Sequence, residues 1–136
     1  MRLRPAAHRL LAVTAALAIG VGVAAPVADA RAGVRLVGTA GPDVLRGGPG
    51  NDVIAGNGGG DRLYGAGGAD TLLGGAGPDR IVPGRGDDVV VAGAGNDVIR
   101  ARGGGSDQLS CGPGRDTAYV DGSDRVGADC ERVIRG

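Results

Sequence analysis

Residues 38–100 read GTAGPDVLR, GGPGNDVIA, GNGGGDRLY, GAGGADTLL, GGAGPDRIV, PGRGDDVVV and AGAGNDVIR; after one extra residue, Ala101, residues 102–119 read RGGGSDQLS and CGPGRDTAY. These are nine units of nine residues. The fourth position is always Gly: Gly41, Gly50, Gly59, Gly68, Gly77, Gly86, Gly95, Gly105 and Gly114. The sixth is always Asp: Asp43, Asp52, Asp61, Asp70, Asp79, Asp88, Asp97, Asp107 and Asp116. The eighth is always apolar, from Leu45 and Ile54 through to Leu109 and Ala118. All 24 Gly and all five Pro of the stretch fall in positions one to six. Gly supplies the positive φ that tight turns need. Each unit therefore reads as a six-residue turn and a three-residue extended piece, with position eight facing inward and its neighbours outward.

Two units make one coil of 18 residues, with strands on opposite sides and turns at both edges. The expected fold is all-β: a right-handed parallel β-roll, a β-solenoid of nine units in about four and a half coils. At the spacing of neighbouring strands the stack is roughly 20 Å long.

The units resemble the hemolysin-type calcium-binding repeat, the RTX nonapeptide, whose pattern is G-G-x-G-x-D-x-U-x. The resemblance runs from Gly38 to Tyr119 and implies a β-roll whose Asp-bearing turns hold Ca2+ between successive coils. Electrostatics leads the same way. One edge of the roll carries Asp43, Asp61, Asp79, Asp97 and Asp116; the other carries Asp52, Asp70, Asp88 and Asp107. Like charges one coil apart, at about 4 Å, repel by about 1 kcal/mol even in water and by more in a less polar setting. Carboxylates and turn carbonyls are hard oxygen ligands that suit Ca2+, whereas zinc favours His or Cys. Nine inward side chains are a small core for the 82 residues 38–119, so the chain is expected to be disordered in chelator and ordered in Ca2+. The rival is that each Asp merely caps its own turn.

The pattern has gaps. Positions one and two are both Gly only in Gly47-Gly48 and Gly74-Gly75. Thr39, Asn57, Ala66, Pro83, Ala92, Arg102 and Cys111 replace one of the pair. The extra Ala101 is expected to bulge the stack and disturb the Asp88/Asp107 and Asp97/Asp116 sites. Asp87, beside Asp88, is a spare outer ligand or a solvated carboxylate.

The flanks carry other signals. Arg2, Arg4 and Arg9, the apolar run Leu10 to Ala25, Pro26 and then Ala28-Asp29-Ala30 or Ala30-Arg31-Ala32 have the layout of a secretory signal peptide over 1–32, cleaved after Ala30 or Ala32. The run is shorter than the roughly 20 residues that span a bilayer, so no membrane association is expected after cleavage. The mature protein is then secreted, with 12 Arg, 14 acids and no His or Lys. Cys111 and Cys130 are expected to form a disulfide in that setting, two free buried thiols being the alternative. Residues 33–37 read as an opening strand, 38–119 as the calcium-binding roll and 120–136 as a C-terminal cap tied by the disulfide.

Composition narrows the function. The whole chain has zero formal net charge, which argues against nucleic acid as a partner. The mature chain has one Glu and three Ser and no His, so no nucleophile–base pair can be named and no enzyme is expected. Position five shows no Thr or Asn ladder, which argues against an ice-binding roll. The outward face of the odd units carries Arg46, Arg62, Arg80 and Arg100, a candidate surface for an acidic polysaccharide. The even face, with Val53, Ala55, Thr71, Leu73, Val89 and Val91, carries no charge. Its two readings are plain strand propensity and a contact surface for a second copy or a cell-surface partner.

Overall fold

The computed structural model describes residues 32–136. The signal segment expected over 1–32 thus lies outside the described residues, Ala32 excepted. Twelve strands follow in order: β1 Arg35–Val37, β2 Val44–Arg46, β3 Val53–Ala55, β4 Arg62–Gly67, β5 Thr71–Ala76, β6 Arg80–Arg85, β7 Val89–Ala94, β8 Val98–Arg100, β9 Gln108–Ser110, β10 Thr117–Val120, β11 Arg125–Val126 and β12 Arg132–Arg135. The odd-numbered strands form one six-stranded sheet and the even-numbered strands another, each stacked in sequence order. Every pairing is parallel, so the chain winds as a β-solenoid of six coils.

Register explains why the repeat length is what it is. Leu45 faces Leu63, Ile54 faces Leu72 and Ile81 faces Ile99, each one 18-residue coil apart. The inward column Leu45, Ile54, Leu63, Leu72, Ile81, Val90, Ile99, Leu109 and Ala118 is buried along the whole roll. Stacking like on like gives each apolar residue a partner above and below, which lets a thin core exclude water.

Three expectations need correction. The stack has six coils, more than four and a half, because β1 opens it ahead of Gly38 and β11 and β12 close it beyond Tyr119. The step to the last coil is shorter than 18 residues on both sheets: Leu109 pairs with Val126 and Ala118 with Val133. Second, β4 to β7 have six residues, more than three, since the first half of the turn also pairs with the next coil, as at Gly75↔Gly93 and Ala76↔Ala94. Third, Ala101 does not bulge. It is buried and its N–H donates to the Tyr119 carbonyl, like the first residue of other turns. The surplus residue is taken up in the turn Arg102–Gly104, and the strands on either side keep register at Val90↔Leu109 and Ile99↔Ala118.

Six of the nine turn glycines at position four have positive φ, from +89° at Gly59 to +141° at Gly114. Position two also lies there in several units, and two non-glycine residues do so too, Asn57 at 77° and Ala66 at 86°. An L-residue with a Cβ is strained in that region by about 1–2 kcal/mol. Ala66→Gly is therefore expected to stabilise the roll by about 0.5–1 kcal/mol after the entropy glycine adds to the unfolded chain. A melting curve that does not rise would contradict it.

Cys111 and Cys130 form a disulfide, with Cα atoms 5.0 Å apart and a sequence separation of 19. It ties the fifth coil of the roll to the residue before Glu131, ahead of the last strand. Closing a loop of that size restrains the unfolded chain by about 3 kcal/mol. The double variant Cys111→Ala, Cys130→Ala should lose about that much in a urea unfolding series.

Candidate metal centre

Each repeat Asp lies directly before a strand, and the alternation of the strand turns its side chain inward, beside the apolar column. Asp52, Asp61, Asp70, Asp79, Asp88, Asp97, Asp107 and Asp116 are at most 1% exposed. Asp43, in the first full coil, is half-buried. The carboxylates thus sit inside the roll, not on its rim.

Their hydrogen bonding is regular. Oδ1 of each Asp accepts the backbone N–H of the Asp one coil earlier: Asp43 donates to Asp61 at 2.8 Å, Asp61 to Asp79 at 2.8 Å, Asp79 to Asp97 at 2.8 Å and Asp97 to Asp116 at 2.8 Å. The other edge repeats this from Asp52 to Asp70 at 2.7 Å, Asp70 to Asp88 at 2.7 Å and Asp88 to Asp107 at 2.9 Å. All nine repeat aspartates fall in the two rows expected from the spacing, and the surplus residue near Ala101 does not break either row.

The rows are longer than the repeat. Val34 N–H donates to Asp52 Oδ1, Asp107 N–H to Asp124 Oδ1 at 3.0 Å and Asp116 N–H to Glu131 Oε2 at 2.8 Å. Asp124 and Glu131 are missed by a search for nine-residue units. Asp124-Arg125-Val126 and Glu131-Arg132-Val133 still show the acid, outward residue and apolar residue of positions six to eight.

The second carboxylate oxygen divides the set. At the ends it is satisfied within its own turn: Gly48 N–H donates to Asp52 Oδ2 at 2.7 Å, Thr39 donates to Asp43 Oδ2, and Asp121 N–H donates to Asp124 Oδ2 at 2.9 Å. Turn capping, the rival reading, describes these three. Oδ2 of Asp61, Asp70, Asp79, Asp88, Asp97, Asp107 and Asp116 is buried with no hydrogen-bond partner. A buried charged oxygen left unpaired is costly.

That cost appears in the proton affinities. Burial, opposed in part by the N–H bond to Oδ1, pushes Asp97 up to about 7 and Asp61, Asp88 and Asp107 to about 6. Carboxylates in the adjoining coils raise them further, Asp79 and Asp116 acting on Asp97 and Asp107 and Asp70 on Asp88. Asp70, Asp79 and Asp116 are raised for the same leading reason.

Position five has a role that the sequence did not show. Asn51, Asp87 and Asn96 each accept the N–H of the residue one coil later, Ala69, Ser106 and Arg115, at 2.8–2.9 Å. Asp87 is accordingly exposed and occupied as a coil-to-coil brace.

Among the described residues no three His, Cys, Asp or Glu side chains converge on one point. The orphaned oxygens face backbone instead. A Cβ placed on Gly56 would run into both Asp61 Oδ2 and the Gly74 carbonyl; on Gly65, into Asp70 Oδ2 and the Pro83 carbonyl. Oxygens from two successive coils thus share a cradle that only glycine leaves open. The donor set is hard, anionic on one side and dipolar on the other, and it fits Ca2+.

The RTX calcium-binding nonapeptide repeat, four copies, matches residues 35–63, 64–99 and 84–118. No curated protein and no solved structure gives a significant match to the chain. The matched segments span more than half of the chain and contain every one of the seven orphaned carboxylates. The chain is a calcium-binding repeat module and belongs to the RTX calcium-binding nonapeptide repeat family.

Proposed function

We propose that the protein is an exported structural or binding module that folds as its aspartate rows take up Ca2+ between successive coils. The observation that carries this reading is the series of seven buried Oδ2 atoms without partners. Bound Ca2+ would supply the positive charge that these rows lack. Asp61, Asp70, Asp79, Asp88, Asp97, Asp107 and Asp116 are the candidate side-chain ligands, with turn carbonyls completing the set; Asp43 and Asp52 would join by exchanging a turn hydrogen bond. Export rests on the signal-like N-terminal sequence, and it would deliver the chain to a compartment where extracellular calcium modules work at millimolar ion.

The test is far-UV circular dichroism of the protein in chelator, then titrated with Ca2+ against a Mg2+ control at neutral pH. A cooperative, calcium-selective gain of β signal is expected. Full β structure in chelator with no calcium heat in calorimetry would sink the reading. So would disorder at every calcium concentration.

A second reading concerns association. Leu73, Val89 and Val91 are 37%, 38% and 40% exposed, and Leu73 and Val91 are cross-strand partners beside Val53 and Ala55. The middle of this sheet face carries no charge, with exposed Arg35 and Arg125 at its two ends, and would suit a second copy of the chain or a cell-surface partner. Sedimentation in calcium decides the first: a mass independent of concentration removes self-association.

A further inference from the structure

The first inward position of each turn changes character half-way along the roll. In the first five units it is glycine: Gly38, Gly47, Gly56, Gly65 and Gly74. From there on it carries a side chain, Pro83, Ala92, Ala101, Cys111 and then Val120, all of them buried.

This position is where the orphaned oxygens point. A Cβ on Gly56, Gly65 or Gly74 would collide with Oδ2 of Asp61, Asp70 or Asp79, and with the carbonyl of Gly74, Pro83 or Ala92 in the next coil. At these three places two oxygens face a space that no side-chain atom enters, and each Oδ2 is buried and unpartnered. At Gly38 and Gly47 the same pairs of oxygens meet, but Oδ2 of Asp43 and Asp52 is already bonded to its own turn. In the second half a pyrrolidine ring, two methyl groups and a thiol-derived sulfur arm occupy the equivalent position. Ala92, Ala101, Cys111 and Val120 join the apolar core there, and the Cys111–Cys130 disulfide adds a covalent tie. Carbon in the cradle excludes a cation and supplies packing in its stead.

Building on the calcium reading above and narrowing its seven candidate ligands to three, we propose that the roll is divided: Ca2+ enters the gaps over Gly56, Gly65 and Gly74, held by Asp61, Asp70 and Asp79, while Asp88, Asp97, Asp107 and Asp116, in the half from Pro83 onward, take no ion. That second half is an apolar, disulfide-tied seat on which the ion-dependent half is built.

Calcium counted by equilibrium dialysis on the whole protein tests the division, with Ca2+ alone as probe. Three ions per chain are expected, one for each open glycine cradle. Asp70→Asn should remove one, whereas Asp97→Asn and Asp107→Asn remove none. Ala92→Gly, which opens a cradle beside Asp97, should add one. Amide exchange in chelator gives a readout that does not depend on any variant folding: protection should persist over β8 to β12 and vanish over β2 to β5. Loss of an ion from Asp97→Asn or Asp107→Asn equal to that from Asp70→Asn would overturn the division, as would uniform loss of protection. Either result leaves the calcium reading standing. A parent protein that binds no calcium would overturn both.

Discussion

Stripped of calcium, the protein is expected to be most stable near pH 4 and to lose the sheet structure of its first half, β2 to β5, as the pH rises past 7. Seven carboxylates have folded-state pKa values above the ordinary 3.8, four of them at about 6 to 7. Between 3.8 and those values the folded chain holds more protons than the unfolded one, so stability falls as pH increases. Their contribution is fully present below the unfolded pKa and is gone once the pH exceeds the folded one. A shift of two units is worth on the order of 3 kcal/mol for one group, and all seven act in the same direction. Small domains are stable by only about 5–15 kcal/mol in total, so this is enough to unfold β2 to β5, which lack the apolar turn residues and the disulfide that hold the second half. Calcium reverses the sign, because it competes with protons for the same oxygens and binds more weakly as the pH drops below 6. Circular dichroism in chelator from pH 4 to 8 checks the first statement and calcium midpoints over the same range check the second. An apo signal that strengthens toward pH 8 would refute the burial argument.

Gly77→Ala should cost about 3 kcal/mol, a large loss for the addition of one methyl group. Two penalties coincide there. Gly77 has φ of +108°, where a Cβ costs about 1–2 kcal/mol. The new methyl would also strike the Gly59 carbonyl in the previous coil, and such overpacking costs about 1–3 kcal/mol. The Gly59 carbonyl belongs to the backbone and a methyl group has no rotamers, so no side-chain change relieves the contact. Gly48→Ala is the control: nothing lies within 4 Å of its added Cβ and its φ is not positive, so its cost should stay below about 1 kcal/mol. The two variants compared in urea at fixed calcium decide the matter, and equal midpoints would defeat the steric account.

The invariance of position four was plain in the sequence, but its cause was not. A turn can need glycine for φ alone, whereas Gly77 and Gly86 also lie against carbonyls one coil away, Gly59 and Gly68. Position six shows the same division. Spacing placed Asp61 and Asp79 in one row, yet nothing in the letters said that one oxygen of each would be tied to an N–H and the other left bare. That follows from the strand that begins one residue after the aspartate and whose alternation turns the carboxylate inward. The end of the roll was harder to read. Asp124 and Glu131 keep the contacts of the row while breaking its count, since the last turns are shorter and a fixed period passes over them. Ala101 misled for the opposite reason: a surplus letter is visible in a sequence, but the place where the chain absorbs it is decided by which residue packs inward.

Coil lengths in this molecule vary, yet every rung from Asp43 to Glu131 is made. Pitch is therefore set by contacts between adjacent coils and not by the number of residues between them. Duplication of an 18-residue block within 38–100 would place a new coil whose acid finds an N–H below and whose own N–H finds an acid above. A slip of one residue in copying would be lost in a bend, as it is at Arg102–Gly104. Such a chain can lengthen or shorten over generations without redesign of its interior, and the coil, more than the domain, is its unit of inheritance.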